Sequence, residues 1–184
     1  MKKKPGLQPV RPPILLPEIQ FLKADKLMKK EWLKAFGHMT YGIYVLTAQV
    51  DDTINGMIAS WVTQVSYEPP LIMVAVHPNR YSHGLIEKSS AFALHVLDQS
   101  QKEMLKRFKG PDPGKKFTDI PWTTGKTGAP ILKNCMAFFE LRVKERHDPG
   151  NHTLFIGEVV NSGIQSAGIP LCTQEYDGMY VGKN

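Results

Sequence analysis

Asn79, Arg80, Tyr81 and Ser82 stand directly after an apolar run, Leu71 to Val76, that is closed off by Pro78. These four residue types, placed at a strand exit, fit anion recognition. The run has too few polar residues to alternate and is bounded by Pro69-Pro70 and Pro78, so it reads as a strand buried on both faces. Leu85, Ile86 and Lys88 then fall at helical spacing, with Asn79 or Ser82 in position to cap the helix. A helix start carries roughly +0.5 of an elementary charge, and Arg80 adds a planar fork of donors suited to phosphate oxygens. The same tetrapeptide would also serve as an ordinary capped turn with a solvated arginine.

The elements that must hold this turn are mostly strands. Residues 24–36 carry Leu27, Met28, Trp32, Leu33 and Phe36 close to helical spacing. Strands are expected over 41–50 and 54–61 around Asp51-Asp52-Thr53, a hairpin signal, with the second strand continuing to Val65. A helix over 82–89, a strand over 91–97 and a helix over 99–108 follow, the last stopped by Gly110-Pro111-Asp112-Pro113-Gly114. A long loop then runs to Pro130, before strands over 134–146 and 153–164 joined by Asp148-Pro149-Gly150. Many strands with no regular alternation with helices predict a mainly β fold with peripheral helices, an antiparallel barrel and not a doubly wound sheet.

The chain of 184 residues, 42% hydrophobic, suits one compact domain over residues 24–184. No run approaches the roughly 18 to 20 apolar residues that cross a bilayer, so no membrane partner is expected. Residues 1–23 form a Pro- and Lys-rich arm holding five cations against Glu18, and so carry four of the six excess positive charges. Its prolines exclude a helix and favour an extended segment, lying along the barrel or a neighbouring subunit, or else disordered. The nearly balanced body gives no basic reading face for nucleic acid. Cys135 and Cys172 are too few and too far apart for a metal knuckle or a disulfide framework, which fits reduced thiols in the cytoplasm. No Gly-x-Gly-x-x-Gly follows a strand, and Gly125-Lys126-Thr127 lacks the upstream glycine of a P-loop because position 120 is Ile.

Several blocks recur in one order: Tyr41-Gly42-Ile43-Tyr44-Val45-Leu46-Thr47, Asn55-Gly56-Met57-Ile58-Ala59-Ser60-Trp61, Ser66, Pro69-Pro70, Asn79-Arg80-Tyr81-Ser82, residues 92–97, and residues 151–159 beginning Asn151-His152-Thr153. That order, over roughly residues 37–163, resembles the flavin reductase-like family of FMN-binding split barrels, particularly its flavoredoxin branch. The resemblance implies an antiparallel split β-barrel that binds FMN in preference to FAD and meets NADH or NADPH as a transient substrate. It implies that Met57, Ile58, Ala59, Ser60 and Trp61 lie along the flavin, with Trp61 either lining the ring pocket or on the outer barrel surface. Arg80 and Ser82 would then hold the phosphate, with Asn79 and Tyr81 shaping the turn. Lys116 and Phe117, with Lys115, would approach the flavin from the loop side, although a lysine pair is also ordinary solvated surface.

His152 falls where the family keeps a histidine beside the open flavin face, as the catalytic candidate or as a structural histidine held by a backbone carbonyl. Hydride transfer to a flavin needs no general acid, so positioning of the donor or acceptor is the role considered for it. Two activities follow from the resemblance. One is an oxidoreductase passing electrons from NAD(P)H through flavin to a small-molecule acceptor. The other is an electron carrier working with a redox protein. A homodimer is implied in both.

Overall fold

The computed structural model describes residues 26–175. The N-terminal arm expected over residues 1–23 lies outside the described residues. Helix α1, Lys26–Phe36, precedes strands β1 (Tyr44–Val50), β2 (Thr53–Ala59), β3 (Val62–Ser66) and β4 (Leu71–Val76). Helix α2 (Tyr81–Ser89), strand β5 (Ala91–Val96), a 3-10 turn at Gln99–Gln101, and helices α3 (Glu103–Lys109) and α4 (Pro113–Lys116) follow. Strands β6 (Trp122–Thr124), β7 (Pro130–Leu132), β8 (Ala137–His147) and β9 (Thr153–Ile164) complete the fold, with a last 3-10 turn at Thr173–Glu175.

Seven strands form one sheet in the order β2-β1-β5-β8-β9-β4-β3, and its pairings are antiparallel throughout. Its two edges, β2 and β3, are consecutive in the chain and are joined only by Ser60 and Trp61. Three peptide steps reach about 11 Å at full extension, so the sheet must roll until its edges nearly meet. The result is a barrel split along the β2–β3 seam, as the antiparallel reading anticipates. Trp61 bends back onto the neighbouring strand, its carbonyl accepting the Ala75 N–H at 3.0 Å.

The strand expected to run from 54 to 65 is therefore two strands on opposite edges. A continuous strand would leave the roll unclosed, and the break at Ser60-Trp61 is what carries the chain across the seam. Leu71–Val76 forms the expected strand, but only Val74 and Val76 are buried. Its other residues are half-exposed, because alternate side chains face out of the barrel.

Strand β1 is enclosed on both faces. Leu46 and Ala48 face a core filled by Phe92, Phe155, Leu141 and Ile86, while Val45 faces a second core with Leu97, Phe108 and Leu132. The second core exists because the supposed loop before Pro130 is structured: Asp112 caps α4 through the Gly114 N–H at 3.0 Å with Pro113 in the first turn, and β6 pairs with β7. The helix expected over 99–108 divides at Lys102, since Asp98 and Gln101 form a capping box that fixes a separate 3-10 turn.

Two buried polar groups tie these layers together. Glu140 on β8 is 1% exposed, and its carboxylate accepts the Thr127 N–H at 2.8 Å, the Thr127 hydroxyl at 3.0 Å and the Asn161 amide at 2.6 Å. It thereby anchors the β6–β7 turn to the sheet. His95 on β5 accepts the Leu132 N–H at Nε2 (3.1 Å), so its proton sits on Nδ1 and is donated to the Val45 carbonyl at 3.0 Å. This neutral ring stitches β5 to β1 and β7. Its full burial pushes its pKa down to about 4.

Candidate functional site

A cavity of about 1090 Å³ opens where β2, the β4–α2 turn, α4 and the segment after α1 converge. Topology supplies this junction. β2 brings Met57, Ile58 and Ala59, and the seam brings Ser60 and Trp61. The end of β4 delivers Asn79, Arg80, Tyr81 and Ser82 to the same wall. Lys116 reaches it from α4. Ten of the residues singled out in the sequence therefore share one cavity.

Its cationic end is built from three pieces. Helix α2 begins at Tyr81 with Arg80 as its N-cap residue in an extended conformation, and no side chain caps it. Neither Asn79 nor Ser82 plays the capping part expected of it: the Asn79 N–H donates to His77 Nδ1 at 3.1 Å, and the Ser82 hydroxyl oxygen accepts the Asn55 amide at 2.8 Å. With its oxygen so occupied, the Ser82 hydroxyl is oriented to donate its proton elsewhere. Lys116 is only 7% exposed, and its Nζ donates to the Gly56 carbonyl at 2.9 Å. Burial lowers its pKa, and the Arg80 charge lowers it further, against a smaller opposing pull from Asp112. A desolvated ammonium beside a guanidinium is relieved by an anion placed between them.

Gly56 is required at this point of β2. A Cβ there would lie 2.5 Å from the Phe108 ring, so only glycine lets α3 close on the strand whose carbonyl holds Lys116.

Asn55 was not among the residues singled out. It is buried, lines the cavity, and its Oδ1 has no hydrogen-bond partner. The signal was its place at the head of the 55–61 block. The pairing of the Met39–Tyr41 segment with Thr173 and Gln174 carried no sequence signal, since it joins segments more than 130 positions apart. There the Tyr41 N–H donates to Thr173 Oγ1 at 3.0 Å, and the Thr173 N–H returns to the Tyr41 carbonyl at 2.8 Å.

Two singled-out residues stand outside the lining. Phe117 turns into the second core, edge-on to Phe108 (5.6 Å) and Trp122 (6.0 Å), and so fixes α4 from behind. His152, 6% exposed, packs behind the wall against two lining residues, Trp61 at 4.7 Å and His77 at 5.1 Å. Its Nδ1–H donates to Asn151 Oδ1 at 2.8 Å, and burial, then His77 and Arg80, lower its pKa. Trp61, left between ring pocket and outer surface by the sequence, lines the cavity.

Comparison with known proteins bears on the chain and its fold. The family model described as "Flavin reductase like domain" matches residues 36–178. Ferric-chelate reductase (NAD(P)H) of Archaeoglobus fulgidus is 31% identical over 155 residues, spanning 82% of this chain and 92% of that protein. FMN reductase (NADH) SmoA of Agrobacterium fabrum is 32% identical over 143 residues, spanning 78% of this chain and 80% of its own. In contrast, the chain spans about a quarter (26%) of a diflavin flavoprotein of Synechocystis, which is 31% identical to it. Among solved structures, the NADH:FAD oxidoreductase SgcE6 of Streptomyces globisporus superimposes with a TM-score of 0.73 at 27% identity, over 80% of this chain and 89% of that one. The family model's match across most of the chain, with relatives above 30% identical over most of their own length, places this protein in the flavin reductase-like family.

Proposed function

We propose that the protein is an oxidoreductase that binds FMN in this cavity and transfers electrons from NADH or NADPH to an acceptor. The observation that carries the reading is the convergence of buried Lys116, Arg80 and the Ser82 hydroxyl on one cavity that β2 also lines. That end suits a phosphate monoester. Arg80 and Lys116 supply charge, Ser82 and the uncapped start of α2 supply donors, and Asn55 holds Ser82 in the donating orientation. Ala59 and Ser60 offer small side chains, so the backbone from Met57 to Trp61 can lie close to a flat ring. Bound there, FMN would supply a two-electron centre able to take a hydride from a nicotinamide. His152 acts as a positioning residue in this reading, holding Trp61 and His77 at the wall from behind.

Anaerobic mixing of the FMN-loaded protein with NADH, and separately with NADPH, tests the activity. Bleaching of the flavin band by either nucleotide is the expected result. A flavin that stays oxidised with both, yet bleaches with a reduced redox protein, would replace the reductase by an electron carrier.

The outer faces of β4 and β9 present half-exposed Leu71, Met73, Leu154 and Ile156, beside Tyr67, which is 86% exposed. This apolar stripe supports a homodimer, and equilibrium sedimentation should give twice the mass of one chain; a monomer at micromolar concentration would refute it. Among the described residues no helix is long and apolar enough to cross a membrane. The two free cysteines support a reducing, cytoplasmic setting, which fractionation of the source cells would check.

A further inference from the structure

Positive charge is concentrated beside the cavity. Residues 102–116, spanning α3 and α4, hold six cations against Glu103 and Asp112 for a net of +4, although the whole chain carries only +6. Both acids are engaged within the segment, Glu103 with Lys106 at 3.1 Å and Asp112 with Lys115 at 3.6 Å. Lys102, Lys106, Arg107, Lys109 and Lys115 are exposed. Elsewhere on the barrel some surface cations lie in ion pairs, Lys144 with Glu158 at 2.6 Å and Arg146 with Asp148 and Glu87. Lys88, Lys126, Lys133 and Arg142, also exposed, are scattered along the sequence and do not fall in one short segment. The basic face also adjoins the cavity, because exposed Lys109 and Pro111, with Gly110 and buried Lys116, line it.

We infer that the α3–α4 face is a docking surface for an acidic electron-transfer protein. The inference rests on the oxidoreductase reading above. A field of one sign at the rim of a cleft steers a partner of opposite charge and orients it toward the opening. A second copy of this chain meeting this face with its own, as a two-fold dimer would, brings like charge to it. A nucleic acid would lack stacking platforms there, since the segment's one aromatic residue, Phe108, is buried in the second core.

The test uses the full FMN-loaded protein and an acidic rubredoxin as probe, with affinity read by titration calorimetry. Screening lengths of about 30 Å at 0.01 M salt and about 8 Å at 0.15 M separate steering from contact. Binding should weaken between these conditions, and K102E/R107E should weaken it about tenfold or more at low salt. FMN affinity, followed by flavin fluorescence, should be the same in the variant. Rubredoxin binding that is absent, or that ignores both salt and the charge reversal, overturns the inference. So does a duplex DNA that binds this face while rubredoxin does not. Failure of wild-type protein to bind FMN would instead remove the oxidoreductase reading, so the two failures are distinguishable.

Discussion

Replacing Arg80 and Ser82 together by alanine should weaken FMN at least about a hundredfold while changing riboflavin affinity only a few-fold. Each residue offers a charge-assisted hydrogen bond to a phosphate, worth about 1.5–3 kcal/mol, and every 1.4 kcal/mol is about tenfold in affinity. Riboflavin has the same ring and ribityl chain without the phosphate, so it isolates the anion end of the cavity. The variant should also raise the Lys116 pKa, because the guanidinium that opposes its charge is gone. Fluorescence titration with both ligands checks the expectation. Equal losses for the two would show that the phosphate sits elsewhere.

The second large effect is acid sensitivity. His95 titrates near 4 in the folded protein against an ordinary value of 6.5, so the unfolded chain binds its proton first as pH falls. Stability from this group is complete above about 6.5 and is lost progressively down to about 4. The full loss is about 3 kcal/mol at 1.36 kcal/mol per pKa unit. His83 and His152, also lowered chiefly by burial, add in the same direction. His95→Gln can still accept from Leu132 and donate to Val45, yet cannot be protonated. Denaturant unfolding across this pH range should give a clearly shallower acid slope for the variant than for the native protein. Parallel slopes would mean that the ring is not the group being titrated.

How much of this was legible beforehand depends on the range of the interactions. The β4 boundaries, the α2 position and the antiparallel character were readable because Pro69-Pro70, Pro78 and the change from continuous to helical apolar spacing are local signals. The seam was not. Ser60-Trp61 has no strand-breaking proline, and the chain is interrupted there by the closure of the sheet, a property of all seven strands. The β6–β7 hairpin was hidden for a related reason: its turn is held by Glu140, which arrives from a later strand. Within the site, Arg80 and Ser82 were legible as a donor cluster. Asn55 became visible as a partner only when folding set it 2.8 Å from Ser82. Phe117 and His152, read as facing the flavin, stand one layer behind the cavity wall, since sequence order says which strand carries a side chain and not how deep it lies.

The short link at Ser60-Trp61 also constrains how a ligand comes and goes. Only two residues tether β2 to β3, so those ends cannot part beyond about 11 Å and this flank behaves as a fixed jamb. The lining that can yield is instead that of Phe36 and Met39, whose side chains lie open to solvent and belong to no strand of the sheet. Entry and exit would then be governed by the approach to β1, leaving the grip on the phosphate undisturbed.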